Sequence, residues 1–373
     1  MGANSGMTTR LKQAFLLVML ALSFLPVLAM LLGVRVKVDL RQENRKLAEL
    51  PKLRLPRVLD AKYFTEFEKY FNDHFGLREW VIKNKQEFDW LAYHRVRPDL
   101  LCGPGRFIEY KFIAERYVPD LSKAYPKQYM VDIFTELYER FKKMGIKMLF
   151  VLYPNKPLIY PERMPSYWPI ETDMAKLPFY QAVEEIRKKG VPILVFAPDF
   201  LKMKDHEQVF TDVEENHCTP VALFHSMKRI LATLGKMTGT TVATPEDFPK
   251  TYSPRIAGGQ HYRLAHHVNT NYPTPPPWLK VEVGQGGGSR YFYKNPERAT
   301  LPSTTIFTDS FLQTLANEFG TVFLPYFQEL CIDYTTFSPD SINPRTRLVV
   351  VSMSDQSVES HIHYYKRFLD RMK

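Results

Sequence analysis

The feature that most constrains the fold of this chain is an alternation of helix and strand patterns that begins near residue 126. The segment "KQYMVDIFTELYERFKKMG" is an amphipathic helix pattern that ends at Gly145, and the apolar run "IKMLFVLY" follows it. A second helix pattern, from about Met174 to Lys189, precedes the apolar run "VPILVFA". Short apolar runs between helices are typical of buried parallel strands, so the sequence predicts an α/β fold with a parallel sheet flanked by helices.

The rest of the chain extends this pattern. Further elements are predicted as helices over about 60–72, 78–93, 220–234 and 356–372, and as strands in "TTIF" and "RLVVVSM". Residues 247–303 interrupt the pattern, since they are rich in Pro, Gly, His and Tyr. We interpret them as an insertion that forms either a mobile loop or an irregular wall of a site.

One segment near the N-terminus has the composition of a membrane span. Residues 14–33 read "AFLLVMLALSFLPVLAMLLG", which are uncharged, almost wholly apolar and long enough to cross a bilayer as a helix. An uncleaved anchor is favoured over a cleaved signal peptide, because large apolar residues surround Ala29. The predicted organisation is a cytoplasmic tail (1–13), an anchor (14–33), a stalk (34–58) and one domain (59–373) on the far side of the membrane.

Composition excludes several classes of function. The net charge is +10, and half of this excess lies within residues 1–46, where attraction to anionic lipid head groups accounts for it. The sequence contains no basic run interleaved with aromatic residues, which is the pattern typical of nucleic-acid binding. The three cysteines, Cys102, Cys218 and Cys331, allow at most one disulfide within the chain, and the sequence does not say which pair would form it.

Ser310 lies where a strand pattern turns into a helix pattern, in "TTIFTDSFLQTL". A serine at such a junction is commonly the N-cap of the helix, because its oxygen accepts a hydrogen bond from a free N–H group of the first turn. However, ligands of parallel sheets bind at the carboxyl ends of the strands, which makes Ser310 a candidate nucleophile as well. Asn155 and Lys156 follow the strand pattern "IKMLFVLY" and lie at the same edge.

A serine nucleophile needs a base, usually an imidazole held by a carboxylate. His217 directly precedes a predicted helix, and Asp212, Glu214 and Glu215 lie just upstream of it. Any of these three acids could orient the histidine ring. The N–H groups at the start of the helix after Ser310 could hold an oxyanion, together with the backbone N–H of Ser310 itself.

Two other kinds of site are weighed against this one. A thiol nucleophile at Cys218 is disfavoured, because a Cys–His pair seldom consists of sequence neighbours. A metal site formed by His261, His266 and His267 is disfavoured too, since their spacing fits no standard zinc pattern. We therefore expect no metal.

Five separated stretches together resemble one family. They are "ENRKLAELPKL", "FEKYFNDHFGLREWVIK", "LYPNKPLIYPERMP", "ENHCTPVAL" and "TDSF", in this order along the chain. They resemble the alginate O-acetyltransferase group, the periplasmic SGNH-hydrolase-like proteins of the AlgJ and AlgX type. Because no room remains after the last helix for the carbohydrate-binding domain of the AlgX type, the chain looks more like the AlgJ type.

The resemblance implies acetyl transfer to hydroxyls of an exported polysaccharide. Ser310 would be the nucleophile, His217 the base and Glu215 its acid, with Asp212 or Glu214 as alternatives, and Asp309, Asn155 and Lys156 would line the site or its oxyanion hole. No cofactor is implied. The partners would be the polysaccharide and a membrane-bound acyltransferase that supplies acetyl groups, and the location would be the inner membrane with the folded domain in the periplasm.

The chain departs from the family pattern at three positions. At the base the family places an acid, any residue and His-Trp-Thr; this chain keeps His217 and Thr219, but the acid is changed to Glu215 and the tryptophan to Cys218. The nucleophile pattern is often Gly-Asp-Ser-Phe, where Thr308 replaces the glycine. Two alternatives therefore stay open: an acetyl esterase of the same fold, or a non-catalytic scaffold of an export complex.

Overall fold

The structure is a computed structural model. It describes residues 3–33, 48–52, 60–74, 76, 78–122, 126–210, 217–242, 250–259, 262–273, 282–286, 290–294, 299–312, 323–334 and 337–372. The chain divides into two compact units, which we call the N-terminal unit (residues 1–97 and 257–266) and the sheet unit (98–256 and 267–373).

The α-helices are numbered in chain order. They are α1 (Ala3–Leu31), α2 (Ala61–His74), α3 (Arg78–Tyr93), α4 (Lys111–Ala114), α5 (Lys127–Lys143), α6 (Lys156–Ile159), α7 (Pro178–Lys188), α8 (Ala197–Met203), α9 (Pro220–Thr238) and α10 (Ser357–Arg371).

The strands are numbered in the same way. They are β1 (Leu100–Cys102), β2 (Ile108–Tyr110), β3 (Lys147–Tyr153), β4 (Ile193–Val195), β5 (Lys250–Gly259), β6 (Tyr262–Pro273), β7 (Glu282–Gly286), β8 (Arg290–Lys294), β9 (Thr304–Thr308), β10 (Glu329–Tyr334) and β11 (Leu348–Ser354).

The sheet unit is built on a mixed sheet in the order β4-β3-β11-β9-β10-β8-β7. The five strands from β4 to β10 are parallel, and β8 and β7 continue the sheet in antiparallel pairing. Parallel pairing aligns the ends of β3, β11 and β9, because Tyr153 pairs with Ser354 and Thr308 pairs with Ser352. The prediction of a parallel α/β sheet flanked by helices is confirmed.

Both faces of the sheet are covered by apolar side chains. In β3, Leu149 and Val151 pack on the side of α9, whereas Met148 and Phe150 pack on the side of α5, α7 and α10. This double burial explains why the central strands read as continuous apolar runs in the sequence rather than as alternating ones.

Some predicted elements differ from the structure. The helix predicted over 174–189 begins as a 3₁₀ turn at Met174–Lys176 and continues as α7 after Leu177, with Asp173 capping the turn. The sequence analysis did not identify β10, because Glu329 and Asp333 interrupt its apolar pattern. Asp333 is buried, and its carboxylate accepts hydrogen bonds from the backbone N–H groups of Phe337 and Ser338.

The predicted insertion over 247–303 contains strands where it is described. Segments β7 and β8 extend the main sheet beside β10, and β5 and β6 form a separate two-stranded sheet. The Pro- and Gly-rich composition favoured irregular structure, whereas pairing with a neighbouring strand stabilises regular structure here.

The N-terminal unit contains α1, α2 and α3. A stretch of 23 residues in α1, Thr9–Leu31, is long and apolar enough to cross a membrane. The two amphipathic helices predicted over 60–72 and 78–93 are present as α2 and α3. The stalk predicted over 34–58 lies mostly outside the described residues.

All three cysteines are described, and no disulfide joins any two of them.

Candidate active site

The candidate site lies at the carboxyl edge of the parallel sheet. Ser310 follows β9, Asn155 follows β3 and Asp355 follows β11, which is the strand between the other two. Short segments that leave three adjacent strands thus meet at one edge, which is where parallel sheets bind their ligands.

Asp309 fixes the position of Ser310 with respect to the sheet. The Asp309 side chain is buried, and its Oδ1 accepts a hydrogen bond of 3.0 Å from the backbone N–H of Phe311. Its Oδ2 accepts hydrogen bonds from the backbone N–H of Ser354 (2.7 Å) and from the Ser354 hydroxyl (3.0 Å). One carboxylate therefore ties the turn after β9 to the end of β11.

These contacts correct the expectation that Ser310 is the N-cap. Asp309 accepts the hydrogen bond of a capping residue, and Ser310 is the first residue with helical structure. Ser310 is half-buried, whereas Phe311 beside it is buried. The helix pattern that follows Ser310 in the sequence is described only over residues 310–312.

His217 lies at the start of α9, and the residues that follow it hold it there. Thr219 is the N-cap of α9: its hydroxyl oxygen accepts a hydrogen bond from Ala222 N–H at 3.3 Å and donates one to the carbonyl of Gln208 at 2.6 Å. The neighbouring Cys218 forms an isolated antiparallel bridge with Phe210.

The structure places His217 against the residue that follows Ser310. The imidazole ring lies 5.5 Å from the Phe311 ring, centroid to centroid, and His217 Nε2 is buried. Phe311 in turn packs against Tyr153 at the end of β3, with 5.3 Å between the ring centroids. The His217 ring thus packs on the residue next to Ser310, although 93 positions separate the two predicted residues in sequence.

The three acids predicted as partners of His217 lie outside the described residues. Asp212, Glu214 and Glu215 belong to the segment 211–216. The choice among them therefore stays a prediction.

Asn155 and Lys156 are fully buried beside the site, and both donate hydrogen bonds to other protein groups, whereas Asn155 Oδ1 has no hydrogen-bond partner among the residues that the structure describes. Asn155 Nδ2 donates a hydrogen bond to Asp355 Oδ1, and the Asn155 backbone N–H donates one to the Tyr117 hydroxyl at 3.2 Å. Lys156 Nζ donates to the carbonyl of Ile108 at 3.0 Å. In this conformation both side chains form hydrogen bonds that stabilise the carboxyl edge of the sheet.

Two buried carboxyl groups lie close to Asn155 and Lys156, namely Asp355 and Glu109. Burial raises the pKa of Asp355 to about 8, which the nearby Arg116 opposes and Glu109 reinforces. Burial raises the pKa of Glu109 to about 7, with the Lys156 ammonium opposing the rise. Tyr117 donates a hydrogen bond from its hydroxyl to Asp355 Oδ2. Burial therefore favours the neutral form of Asp355 at the carboxyl edge.

The sequence analysis missed Ser354, Asp355 and Tyr117. The signal for the first two was available, since they directly follow the predicted strand "RLVVVSM" and the same argument had selected Ser310 and Asn155. Tyr117 lies in a 3₁₀ turn far from any predicted strand, and no sequence pattern identified it.

A cavity of about 240 Å³ lies next to the buried Asp355 carboxyl group. Its lining includes Asp355, Tyr117, Arg116, Phe179 and Tyr180.

Among the residues that the structure describes, no group of His, Cys, Asp and Glu side chains could hold a metal ion. His261 lies outside those residues, and His266 and His267 belong to β6.

Comparison with known proteins places this domain in a family context. Residues 112–249 match the family model described as the SGNH hydrolase-like domain of the acetyltransferase AlgX. This match confirms the resemblance inferred from the sequence motifs. No curated protein was found to match by sequence.

Comparison with solved structures finds matches of low sequence identity. PatB1 of Bacillus cereus has a TM-score of 0.51 at 12% identity, over 69% of this chain and 96% of that chain. The O-acetyltransferase domain of Pseudomonas putida AlgJ has a TM-score of 0.49 at 11% identity, over 72% and 99% of the two chains. Pseudomonas aeruginosa AlgX has a TM-score of 0.40 at 14% identity, over 65% and 61%.

Proposed function

We propose that this chain, whose residues 112–249 match the family model described as the SGNH hydrolase-like domain of the acetyltransferase AlgX, transfers acetyl groups to hydroxyls of an exported polysaccharide. The observation that carries the proposal is the arrangement at the carboxyl edge. Asp309 takes over the capping role at the turn after β9, and the His217 ring packs on the residue that follows Ser310.

In the first half of the proposed reaction, Ser310 Oγ attacks the carbonyl carbon of an acetyl donor. His217 accepts the hydroxyl proton and then gives it to the leaving group of the donor, which leaves an acetyl ester on Ser310. One acid from the segment 211–216, Glu215 first and Asp212 or Glu214 as alternatives, orients the imidazole and stabilises its protonated form.

In the second half, a sugar hydroxyl replaces the donor. His217 removes the proton of that hydroxyl as its oxygen attacks the acetyl carbon, and the proton then returns to Ser310 Oγ. Backbone N–H groups of the turn that begins at Ser310 are the proposed donors to the oxyanion. Asp309, Asn155 and Lys156 act here by holding the turn and the edge rather than by touching the substrate.

The cellular setting is part of the same proposal. The apolar stretch of α1 anchors the chain in the inner membrane, and the folded domain works in the periplasm. The acetyl groups come from a membrane-bound acyltransferase partner, and the polysaccharide is the acceptor. A chain tethered in this way stays close to both the membrane-bound donor and the emerging polymer.

Hydrolysis of a chromogenic acetyl ester by the full chain in detergent tests the proposed chemistry. We expect slow turnover by the wild type, and we expect Ser310→Ala and His217→Ala each to abolish it. Ser166→Ala and His206→Ala are matched controls, since both side chains are exposed and neither has a proposed role in the reaction. Full activity in the Ser310 and His217 variants would show that the proposed pair is wrong.

A second arm separates transfer from hydrolysis. Acceptor oligosaccharides are added to the same reaction, and acetylated sugar and free acetate are measured by mass spectrometry. Acetylated sugar that depends on Ser310 supports the transferase. Free acetate alone supports an esterase, and no activity in a chain that cells still need for polymer acetylation supports a scaffold.

A further inference from the structure

Helices α2 and α3 of the N-terminal unit expose apolar side chains to an unusual degree. In α3, Trp80, Phe88 and Leu91 are 58%, 60% and 72% exposed and follow each other at helical spacing on one face. In α2, Phe64 and Phe67 are 57% and 42% exposed, also on one face. We call these five side chains the aromatic face. Single exposed apolar residues are ordinary, but a cluster of this kind marks an interaction surface.

The turn between the two helices packs on the end of α1. A Cβ atom at Gly76 would lie 2.6 Å from Ala29 Cβ and 2.7 Å from the Met30 backbone nitrogen, so the glycine backbone directly contacts α1. Ala29 is buried there, although the rest of the apolar stretch is almost entirely exposed. This contact explains the glycine in the motif "NDHFGLR", where any larger side chain would push the turn away from α1.

The position of this contact along α1 fixes the level of the turn. Ala29 lies two residues before the end of the apolar stretch Thr9–Leu31, which is long enough to cross a bilayer. If α1 crosses the membrane, Gly76 lies where the apolar core meets the head groups. The chain after α1 returns to the same place, since Ala48 N–H donates a hydrogen bond of 2.8 Å to Asp73 Oδ2 at the end of α2.

We propose that α2 and α3 lie on the surface of the membrane that α1 crosses, at the end of α1, and insert the aromatic face among the lipid head groups and upper acyl chains. Trp, Tyr and Phe are the side chains that favour this region, because their rings tolerate both apolar and polar surroundings. Residues 60–97 contain seven basic and seven acidic residues, so the attraction is apolar rather than electrostatic. The chain is thus attached to the bilayer by one spanning helix and by a pair of surface helices beside it.

Tryptophan quenching in vesicles of phosphatidylcholine tests this proposal. The full chain is reconstituted with Trp90, Trp168 and Trp278 changed to Phe, so that Trp80 is the only fluorophore. Lipids brominated near the head groups should remove about half of the Trp80 emission, since the ring lies at their depth. Because the surface carries no net charge, quenching should not change with salt.

A second variant that keeps only Trp90 is the matched control. Trp90 belongs to the same helix but is buried in the protein. Its emission should lose much less intensity. Equal quenching of the two tryptophans, or none of Trp80, would overturn the proposal. Shielding of Trp80 from iodide without quenching by lipid would instead assign the aromatic face to a protein partner or to a second copy of the chain.

A measurement on the unaltered chain guards against misfolded variants. Phospholipids with a photoreactive group near the head group are used to label the reconstituted wild type, and the labelled peptides are identified by mass spectrometry. Peptides from α2 and α3 should be labelled in addition to those of α1. Labelling of α1 alone would contradict surface insertion.

Discussion

Asp309 is the side chain on which the position of Ser310 most directly depends. Its carboxylate accepts three hydrogen bonds, two of them from Ser354 on the neighbouring strand. Ser354 in turn shares a hydroxyl hydrogen bond of 2.9 Å with Ser357 at the start of α10. The turn that holds Ser310 is therefore fixed by groups from β11 and α10.

Removing this carboxylate should harm both stability and activity. Asp309→Ala leaves two buried backbone N–H groups without acceptors, which we expect to cost about 2–4 kcal/mol of the free energy of unfolding. Ester hydrolysis should fall at least about tenfold, because small displacements of a nucleophile are costly. Urea unfolding and initial rates measure the two effects.

Asp173→Ala is the matched control for that variant. Asp173 accepts the same kind of hydrogen bond, from Ala175 N–H at 3.0 Å, but it is exposed and caps a turn away from the site. Its loss should cost only about 1 kcal/mol and leave the rate unchanged. If the two variants lost equal stability, the buried hydrogen bonds of Asp309 would contribute nothing beyond capping.

The buried carboxyl groups make stability depend on pH. Because the folded pKa of Asp355 is raised from 3.8 to about 8, the folded state binds more protons than the unfolded state between these values. The free energy of unfolding should therefore fall as pH rises from about 4 to about 8, by up to about 1.4 kcal/mol for each pH unit from this group. Glu109, whose pKa is raised to about 7, acts in the same direction, while Arg116 opposes the rise at Asp355 and Lys156 opposes the rise at Glu109.

Asp355→Asn should remove the part of this dependence that belongs to Asp355. The amide keeps the size of the carboxyl group and can still bond to Tyr117 and Asn155. We expect the variant to gain stability relative to the wild type as pH rises through the window, as measured by urea unfolding at several pH values. Asp132→Asn, at an exposed position of α5, should show no such trend. A parallel pH profile for Asp355→Asn and the wild type would mean that Asp355 does not titrate in this way.

At the scale of elements, α9 brings His217 to the sheet edge. Its first turn is fixed by Thr219, whose backbone N–H donates a hydrogen bond to the Val209 carbonyl at 2.7 Å in addition to the capping contacts of its hydroxyl. The family pattern retains a threonine at this position. The structure gives a physical reason for it, since the hydroxyl joins the helix start to the chain before residue 211.

Thr219→Val tests this role, since it keeps the shape of the side chain but removes the hydroxyl. We expect a loss of about 1–2 kcal/mol in the free energy of unfolding, because the capping bond and the bond to Gln208 are both lost. The hydrolysis rate should fall as well, with the pH profile displaced if the imidazole loses its orientation. Thr219→Ser keeps the hydroxyl and should recover most of both. Failure of serine to rescue would show that the methyl group matters more than the hydrogen bonds.

At the scale of the whole molecule, the sequence specified the sheet better than its surroundings. The runs around β3 and β11 were apolar enough to be identified as buried parallel strands, and the carboxyl-edge argument then selected Ser310 and Asn155. By contrast, β10 was missed because Asp333 is buried through hydrogen bonds to residues 337 and 338, which no local pattern reveals. Tyr117 and Asp355 meet only in the folded chain, 238 residues apart.

The candidate site shows the same limit. The sequence could suggest that Ser310 and His217 cooperate, but not which side chain caps the turn or which aromatic ring packs against His217. The departures at Cys218 and Thr308 also take on physical meaning. Both side chains are buried, Cys218 in a bridge with Phe210 and Thr308 with its hydroxyl donating to the Asp309 carbonyl at 2.9 Å. They form part of the structure around the proposed pair.

Covalent modification by a sulfonyl fluoride tests whether Ser310 is an activated nucleophile, because it requires an activated serine but neither donor nor acceptor. We expect Ser310 Oγ to displace fluoride from sulfur, so that the wild-type peptide containing Ser310 gains one sulfonyl group by mass spectrometry. The modification should be absent from folded His217→Ala protein, and exposed Ser166 should stay unmodified in both. A folded wild type without modification at Ser310, or equal modification in His217→Ala, would show that His217 does not activate Ser310.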